Sequence, residues 1–76
     1  MPLYGFLEGD TVGLLIVADK NESVASLARK LQEAGSIRVM PRPDLQLVRQ
    51  GKVIDTTLTV SEAGFTAFER FDVRQR

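Results

Sequence analysis

The segment DTVGLLIVADKNESVASLARKL, residues 10–31, constrains the fold most, because its periodicity changes from that of a strand to that of a helix over a few polar residues. Thr11–Ala18 alternates with a period of two and is predicted to be a strand. Both faces of this strand are apolar, although a helix packed on a sheet covers only one of them. One face carries Val12, Leu14, Ile16 and Ala18, and the other carries Gly13, Leu15 and Val17. The second face therefore needs an explanation of its own.

The helix predicted after this strand has a single narrow apolar stripe. Ser23 is a favourable N-cap, because its hydroxyl can accept a hydrogen bond from an otherwise unpaired backbone N–H. Gly35 is expected to end the helix in the left-handed conformation. The apolar positions follow the spacing i, i+3, i+4 and i+7 and comprise Val24, Leu27, Ala28 and Leu31. Such a stripe indicates a helix that packs on one surface only.

Turn residues and apolar alternation divide the rest of the chain into short elements. Between the helix and the next strand, Pro41 and Pro43 predict an extended connection over residues 36–44. The remaining predicted elements are a strand at Leu3–Glu8, a strand at Leu45–Arg49, a short strand at Val53–Ile54, a one-turn helix at Thr59–Gly64 and a last strand at Glu69–Arg74. This order predicts an α+β fold of the β-grasp type, with one helix packed on one face of a mixed five-stranded sheet. At 76 residues the chain is predicted to be one domain, residues 1–76.

The sequence contains no histidine and no cysteine. It therefore offers no imidazole base, no thiolate nucleophile and no ordinary zinc or iron–sulfur ligand set. Its carboxylates are scattered, and its glycines do not match a phosphate-binding loop. We therefore expect no catalytic residue, no cofactor and no metal in this chain, which by itself is not an enzyme.

Charge and hydropathy argue against several classes of partner. Ten Lys and Arg balance ten Asp and Glu, so no net field attracts nucleic acid. No apolar run approaches the ~20 residues of a membrane helix, and the N-terminus lacks the basic and apolar pattern of a secretory signal. The chain has five aromatic residues, Tyr4, Phe6, Phe65, Phe68 and Phe71. Most of them are expected in the core and would not be free to stack on nucleic-acid bases. We expect a cytoplasmic protein that binds neither nucleic acid nor membrane.

The chain resembles the ubiquitin-like fold over its whole length. The resemblance is carried by the helix capped at Ser23, the turn at Gly51-Lys52, and the Thr-x-Ser-acidic segment at Thr59–Glu62 before the final strand. Ubiquitin-like modifiers and sulfur carriers act through a C-terminal Gly-Gly, whereas this sequence has Asp72–Arg76 where such a tail would begin. The resemblance therefore implies a ubiquitin-like β-grasp domain without covalent conjugation.

A set of segments in a common order resembles one family more closely. The segments are Gly5–Asp10, Val17–Ser23, Arg38–Arg42, Thr59–Phe65, Phe68-Glu69 and Asp72-Val73. They are similar to the small ubiquitin-like subunit of toluene and other aromatic monooxygenase hydroxylases, called system protein B or the gamma subunit. The resemblance implies a non-catalytic accessory subunit of a bacterial multicomponent di-iron aromatic or alkene monooxygenase, which docks on the larger hydroxylase subunits. In that family the di-iron chemistry belongs to the large subunit, and no position here carries it over.

The apolar outer face of the second predicted strand indicates where a partner binds. Leu15 and Val17 are expected on the side of the sheet that the helix leaves open, together with Val48 from the third predicted strand. We interpret this cluster as the centre of a partner interface. The basic residues predicted as rim contacts are Arg38, Arg42, Arg49 and Arg70. The alternative interpretation is that these Leu and Val residues serve strand propensity alone.

Two further functions fit the same sequence. The first is a free-standing ubiquitin-like adaptor without conjugation activity, for example one associated with a bacterial secretion system. The second is a modifier or sulfur carrier whose tail has been lost. Neighbouring genes would separate an adaptor from a monooxygenase subunit, and an intact-mass measurement after incubation with ATP and an activating enzyme would detect a modifier.

Overall fold

The computed structural model describes residues 1–10, 12–36 and 44–76. The elements in these residues are β1 (Pro2–Leu7), β2 (Gly13–Val17), α1 (Val24–Ala34), β3 (Leu45–Arg49), β4 (Lys52–Ile54) and β5 (Arg70–Gln75). The sheet has five strands in the order β2-β1-β5-β3-β4. The central strands β1 and β5 pair in parallel, and the other neighbours pair antiparallel. The predicted β-grasp fold with a mixed five-stranded sheet is confirmed, with strand ends shifted by a residue or two.

The core lies between α1 and one face of the sheet. The helix buries the four residues of the predicted stripe, which are Val24, Leu27, Ala28 and Leu31. The sheet side of the core consists mainly of Leu3, Leu7, Ile16, Leu47, Phe71 and Val73. Because side chains alternate along a strand, every inward residue leaves its neighbours on the opposite face, which no helix of the described residues covers. This opposite face is called the open face below.

The ends of α1 are set by two different local interactions. At the start, the Ser23 hydroxyl accepts a hydrogen bond from the Ser26 N–H at 3.0 Å, as its predicted role as N-cap requires. At the end, the prediction for Gly35 is wrong, because its φ is −93° rather than positive. A Cβ at Gly35 would lie 2.8 Å from the Leu7 Cδ2 atom, so the glycine permits close packing rather than a left-handed turn.

The segment Thr59–Gly64, predicted as a one-turn helix, forms hydrogen-bonded turns and not a helix. The Thr59 hydroxyl accepts from the Glu62 N–H at 3.0 Å, and the Glu62 carboxylate accepts from the Thr59 N–H at 2.9 Å. This reciprocal pair is a capping box, and it fixes the turn without a following helix. Gly64 ends the turn with a φ of 79°, and Val60 within it is fully buried. The turn therefore contributes Val60 to the core in the segment that leads to β5.

Glu22 connects β2 to α1 through a cluster of hydrogen bonds. Its carboxylate accepts from the Lys30 Nζ at 2.6 Å, from the Ser26 hydroxyl at 2.7 Å and from the Asp19 N–H at 2.7 Å. The Lys30 Nζ also donates to the carbonyl of Val17 at 3.2 Å. Partial burial raises the pKa of Glu22, but the hydrogen bonds from Lys30, Ser26 and Asp19 outweigh it, and the pKa lies below its ordinary value of 4.5.

We expect the lowered pKa of Glu22 to make stability depend on pH in acid. A carboxyl group whose pKa falls on folding stabilises the native state above its unfolded pKa, and this contribution is lost as the pH falls through the folded pKa. Replacing Glu22 with Gln should lower the free energy of unfolding by about 1 kcal/mol at pH 7. The difference from the unmodified protein should shrink as the pH falls below about 4.5 and through the lowered pKa of the folded state.

Urea denaturation at pH 7 and pH 3 measures this effect. Glu33→Gln is the matched control, because Glu33 lies on the same helix with an exposed side chain. It should change the free energy of unfolding little at either pH. A Glu22→Gln variant as stable as the unmodified protein at pH 7 would contradict the assigned role of the cluster.

Candidate partner-binding face

The open face can be assigned residue by residue from the strand register. Tyr4 pairs with both Leu15 of β2 and Arg70 of β5, and Val48 pairs with both Asp72 of β5 and Val53 of β4. From one edge of the sheet to the other, the open face carries Gly13, Leu15 and Val17 on β2; Pro2, Tyr4 and Phe6 on β1; Arg70, Asp72 and Arg74 on β5; Gln46 and Val48 on β3; and Val53 on β4. The half formed by β2 and β1 is apolar, and the centre is charged.

An apolar patch covers the end of the open face nearest β2. Leu15 and Val17 are both exposed, Val17 at 70% of its surface. Tyr4 lies beside Leu15 in the register, and its ring centroid is 6.1 Å from that of Phe68, which is 61% exposed. The apolar patch, as the term is used below, consists of Pro2, Tyr4, Leu15, Val17 and Phe68. The predicted exposure of Leu15 and Val17 is therefore confirmed.

The aromatic half of the apolar patch was missed by sequence reasoning, which expected most aromatic residues in the core. Only Phe65 and Phe71 are buried, with their rings edge to face at a centroid distance of 6.1 Å. A signal for Tyr4 was present, because it alternates with the buried Leu3 and so must face outward. Phe68 precedes β5 and follows no such alternation, so no sequence signal fixed its side.

Phe68 has a backbone conformation that is unusual for its residue type. Its φ is 64°, in the left-handed region, where a side chain costs about 1–2 kcal/mol relative to the ordinary conformations. The Phe68 N–H donates to the carbonyl of Pro2 at 2.6 Å, which anchors this loop to the start of β1. Gly or Asn would occupy the position at lower cost. An exposed aromatic side chain at a strained position suggests a role outside the monomer.

Val48 lies on the open face but does not belong to the apolar patch. The prediction that it neighbours Leu15 and Val17 is wrong, because β1 and β5 lie between β3 and β2. Val48 is also only 6% exposed, so the prediction of an accessible apolar residue there is wrong as well. It borders a shallow groove on the open face with Arg70 and Asp72 among the lining residues.

The four predicted rim arginines separate into three groups. Arg38 and Arg42 lie outside the described residues. Arg70 is on the open face, with its guanidinium carbon 4.0 Å from the Phe6 ring centroid and its Nε 3.2 Å from an Asp72 oxygen. Its side chain remains largely exposed, so it is available at the centre of the face.

Arg49 is on the opposite side of the sheet from the open face, because it alternates with Val48. Its Nη1 donates to the carbonyl of Ala63 at 2.7 Å, and its guanidinium carbon lies 4.8 Å from the Phe65 ring centroid. Its Nε is 3.5 Å from a Glu69 oxygen. The prediction of Arg49 as a rim contact of the open face does not fit this geometry, because the side chain instead ties the 59–65 segment to β3.

The described residues show neither a metal-binding cluster nor a membrane-spanning helix. In residues 1–10, 12–36 and 44–76, no three His, Cys, Asp or Glu side chains are grouped so that they could hold a metal ion. Across the same residues, no helix combines the length and the apolar character that a membrane crossing requires.

Comparison with known proteins agrees with the fold and identifies the family. Among solved structures, the chain is similar to a chain of the toluene 4-monooxygenase HD complex with the inhibitor 4-bromobenzoate, at 26% identity and a TM-score of 0.88, covering 95% of this chain and 93% of that chain. Ubiquitin from Caldiarchaeum subterraneum is similar at 18% identity and a TM-score of 0.82, covering 100% and 92%. A ubiquitin-like domain from Arabidopsis thaliana is similar at 21% identity and a TM-score of 0.76, covering 99% and 76%. The last two likenesses show the fold alone.

The sequence itself gives the more specific result. No curated protein matches it significantly. The family model of toluene-4-monooxygenase system protein B matches residues 1–75, which is nearly the whole chain. The chain belongs to the toluene-4-monooxygenase system protein B family.

Proposed function

We propose that this protein, an accessory subunit of a multicomponent monooxygenase, acts without catalysing any step itself and docks on the larger hydroxylase subunits through its open face. The observation that carries the proposal is the apolar patch, which lies on the face that the helix does not cover and which combines two exposed aromatic side chains with the exposed Leu15 and Val17. We further propose that the complex is bacterial, contains a di-iron centre in its large subunit and works in the cytoplasm. The chain has no histidine with which to supply such a centre.

The size of the apolar patch supports an interface. With about 200 Å² for a fully exposed aromatic side chain and somewhat less for Leu and Val, the exposed fractions of Tyr4, Leu15, Val17 and Phe68 amount to roughly 400 Å². The largest apolar patch on a typical monomer is about 300–600 Å² and is often functional. Tyr4 belongs to a residue type that is enriched among the residues that dominate binding energy, and Phe68 belongs to a type that is enriched at protein interfaces.

The charged centre of the open face supports a polar rim beside the patch. Arg70 pairs with Tyr4 across the β1–β5 register and presents an exposed guanidinium next to the apolar surface. Interfaces typically combine an apolar centre with a polar border in which arginine is common. We propose Arg70 as a rim contact, and we retain Arg38 and Arg42 in that role.

A charge in the middle of the apolar patch should abolish docking. Val17→Asp is expected to weaken binding to the hydroxylase subunits by about 30-fold or more, because an unpaired carboxylate would be desolvated on association. The free energy of unfolding of the isolated protein should fall by less than about 1 kcal/mol, since Val17 is mostly exposed. Co-expression with the larger subunits, followed by affinity purification and quantification of this chain, measures the effect.

Val53→Asp is the matched control for this experiment. Val53 lies on the same open face with a similar exposure of 59%, but on β4 at the opposite edge of the sheet. It should leave co-purification close to that of the unmodified protein. Retention of Val17→Asp in the complex, or equal losses in the two variants, would refute docking through the apolar patch. Val48→Asp is unsuitable here, because it would bury a charge within the protein itself.

A further inference from the structure

We propose that β2 is the site at which a larger hydroxylase subunit adds an extended segment to this sheet as a sixth strand. The proposal rests on the proposed function and specifies how the partner is held. The segment would form backbone hydrogen bonds to the outer edge of β2, and its apolar side chains would lie on the open face beside Leu15 and Val17. Strand addition of this kind combines main-chain affinity with side-chain selectivity.

The register shows which backbone groups of β2 point outward. Met1 and Ala18 exchange two hydrogen bonds, with the Met1 amino group donating to the Ala18 carbonyl at 2.9 Å and the Ala18 N–H donating to the Met1 carbonyl at 2.8 Å. Bonded and non-bonded pairs alternate along an antiparallel ladder. The Leu3–Ile16 pair is therefore hydrogen-bonded. Leu15 and Val17, which lie on either side of Ile16 along β2, are in non-bonded pairs and direct their N–H and C=O groups away from β1.

The two edges of the sheet differ in how they are protected against pairing. Edge strands are normally shortened or interrupted by charges or proline. The β4 edge follows this rule, because it has only three residues and includes Lys52. The β2 edge has five residues, Gly13–Val17, and its sequence GLLIV contains neither a charge nor a proline. Among the described residues, Lys30 donates to the Val17 carbonyl and so protects one end of this edge.

The area available argues for a larger partner over a second copy of this chain. A stable interface buries about 800 Å² on each side, which for this protein would be about one sixth of a total surface of 4655 Å². The apolar patch provides roughly half of that area. Two β2 strands paired edge to edge would add a ladder of only five residues. A larger subunit can supply one strand at the edge and further contacts across the open face.

The backbone contribution can be separated from that of the side chain at Leu15. Leu15→Pro removes the outward N–H, and proline is tolerated on an edge strand where the N–H faces solvent. Leu15→Ala shortens the side chain but keeps the N–H. In co-purification with the larger subunits, Leu15→Pro should bind about 10- to 100-fold more weakly than Leu15→Ala, because a partner carbonyl loses its donor. Equal affinities would overturn the proposal.

Amide hydrogen exchange tests the same inference without any substitution. In the free protein the Leu15 and Val17 amides should exchange rapidly, because they face solvent. In the complex with the larger subunits they should exchange at least about 100-fold more slowly, while the Ile16 amide, already bonded to β1, is protected in both states. Unchanged exchange at Leu15 and Val17 on complex formation would overturn strand addition, even if the proline variant failed to fold.

The outcomes distinguish this inference from the function on which it rests. If the unmodified protein does not co-purify with the larger subunits, the proposed function itself fails. If Val17→Asp is lost from the complex but Leu15→Pro and Leu15→Ala behave alike, only strand addition fails. If sedimentation shows a dimer of the free chain that Leu15→Pro abolishes, a second copy occupies the edge and the proposal is overturned.

Discussion

Replacing Phe71 with alanine is expected to remove about half of the stability of this protein. Phe71 is 1% exposed in the central strand β5, and its ring meets Phe65 edge to face. Truncating a buried phenylalanine costs about 3–5 kcal/mol, because the transfer free energy is lost and a cavity remains. A domain of 76 residues has a total stability of roughly 4–11 kcal/mol. The variant should therefore unfold at a clearly lower temperature and a clearly lower urea concentration than the unmodified protein.

Thermal and urea unfolding followed by circular dichroism measure this loss. Phe68→Ala is the matched control, since it deletes the same atoms from an exposed position. It should cost less than about 1 kcal/mol, because most of the Phe68 ring has no buried contacts to lose. Similar losses in the two variants would mean that the ring of Phe68 belongs to the core and that the apolar patch is wrongly defined.

Much of this fold could be predicted from the sequence, because its signals are local. The apolar helical stripe and the serine N-cap predicted both ends of α1 to within about one residue. The turn after β3 was also predictable, because Gly51 is a typical turn residue. In the structure Gln50 and Gly51 both have positive φ, as a tight hairpin turn requires. Alternation assigned Leu15 and Val17 to the open face for the same reason: side-chain direction along a strand depends only on the neighbouring residues.

What the sequence could not predict depends on pairing between distant segments. Alternation places Val48 on the open face, but its distance from Leu15 depends on the strand order, which the long-range pairing of β1 with β5 decides. The prediction of Arg49 as a rim contact is an exception, because local alternation with the outward-facing Val48 already places Arg49 on the opposite side of the sheet. The exposure of Phe68 depends on a left-handed φ, which no residue pattern at that site predicts.

The most selective test of the apolar patch is Phe68→Asn, because its effects on stability and on binding should be opposite or independent. Asparagine tolerates the left-handed conformation better than phenylalanine does. The free energy of unfolding should therefore stay within about 1 kcal/mol of the unmodified value, with strain relief offsetting the lost contact with Tyr4. Affinity for the hydroxylase subunits should fall about 30-fold or more, as expected when an aromatic anchor worth about 2 kcal/mol is removed.

Urea denaturation of the free protein and titration calorimetry with the larger subunits measure the two effects separately. Phe68→Tyr is the control, because it keeps both the ring and the strain, and it should bind nearly as well as the unmodified protein. An asparagine variant that binds normally would exclude Phe68 from the interface and leave its backbone strain without a function. Weaker binding with undiminished stability would show that the strained conformation is kept for the partner, since a residue selected only for the stability of the monomer would be glycine or asparagine.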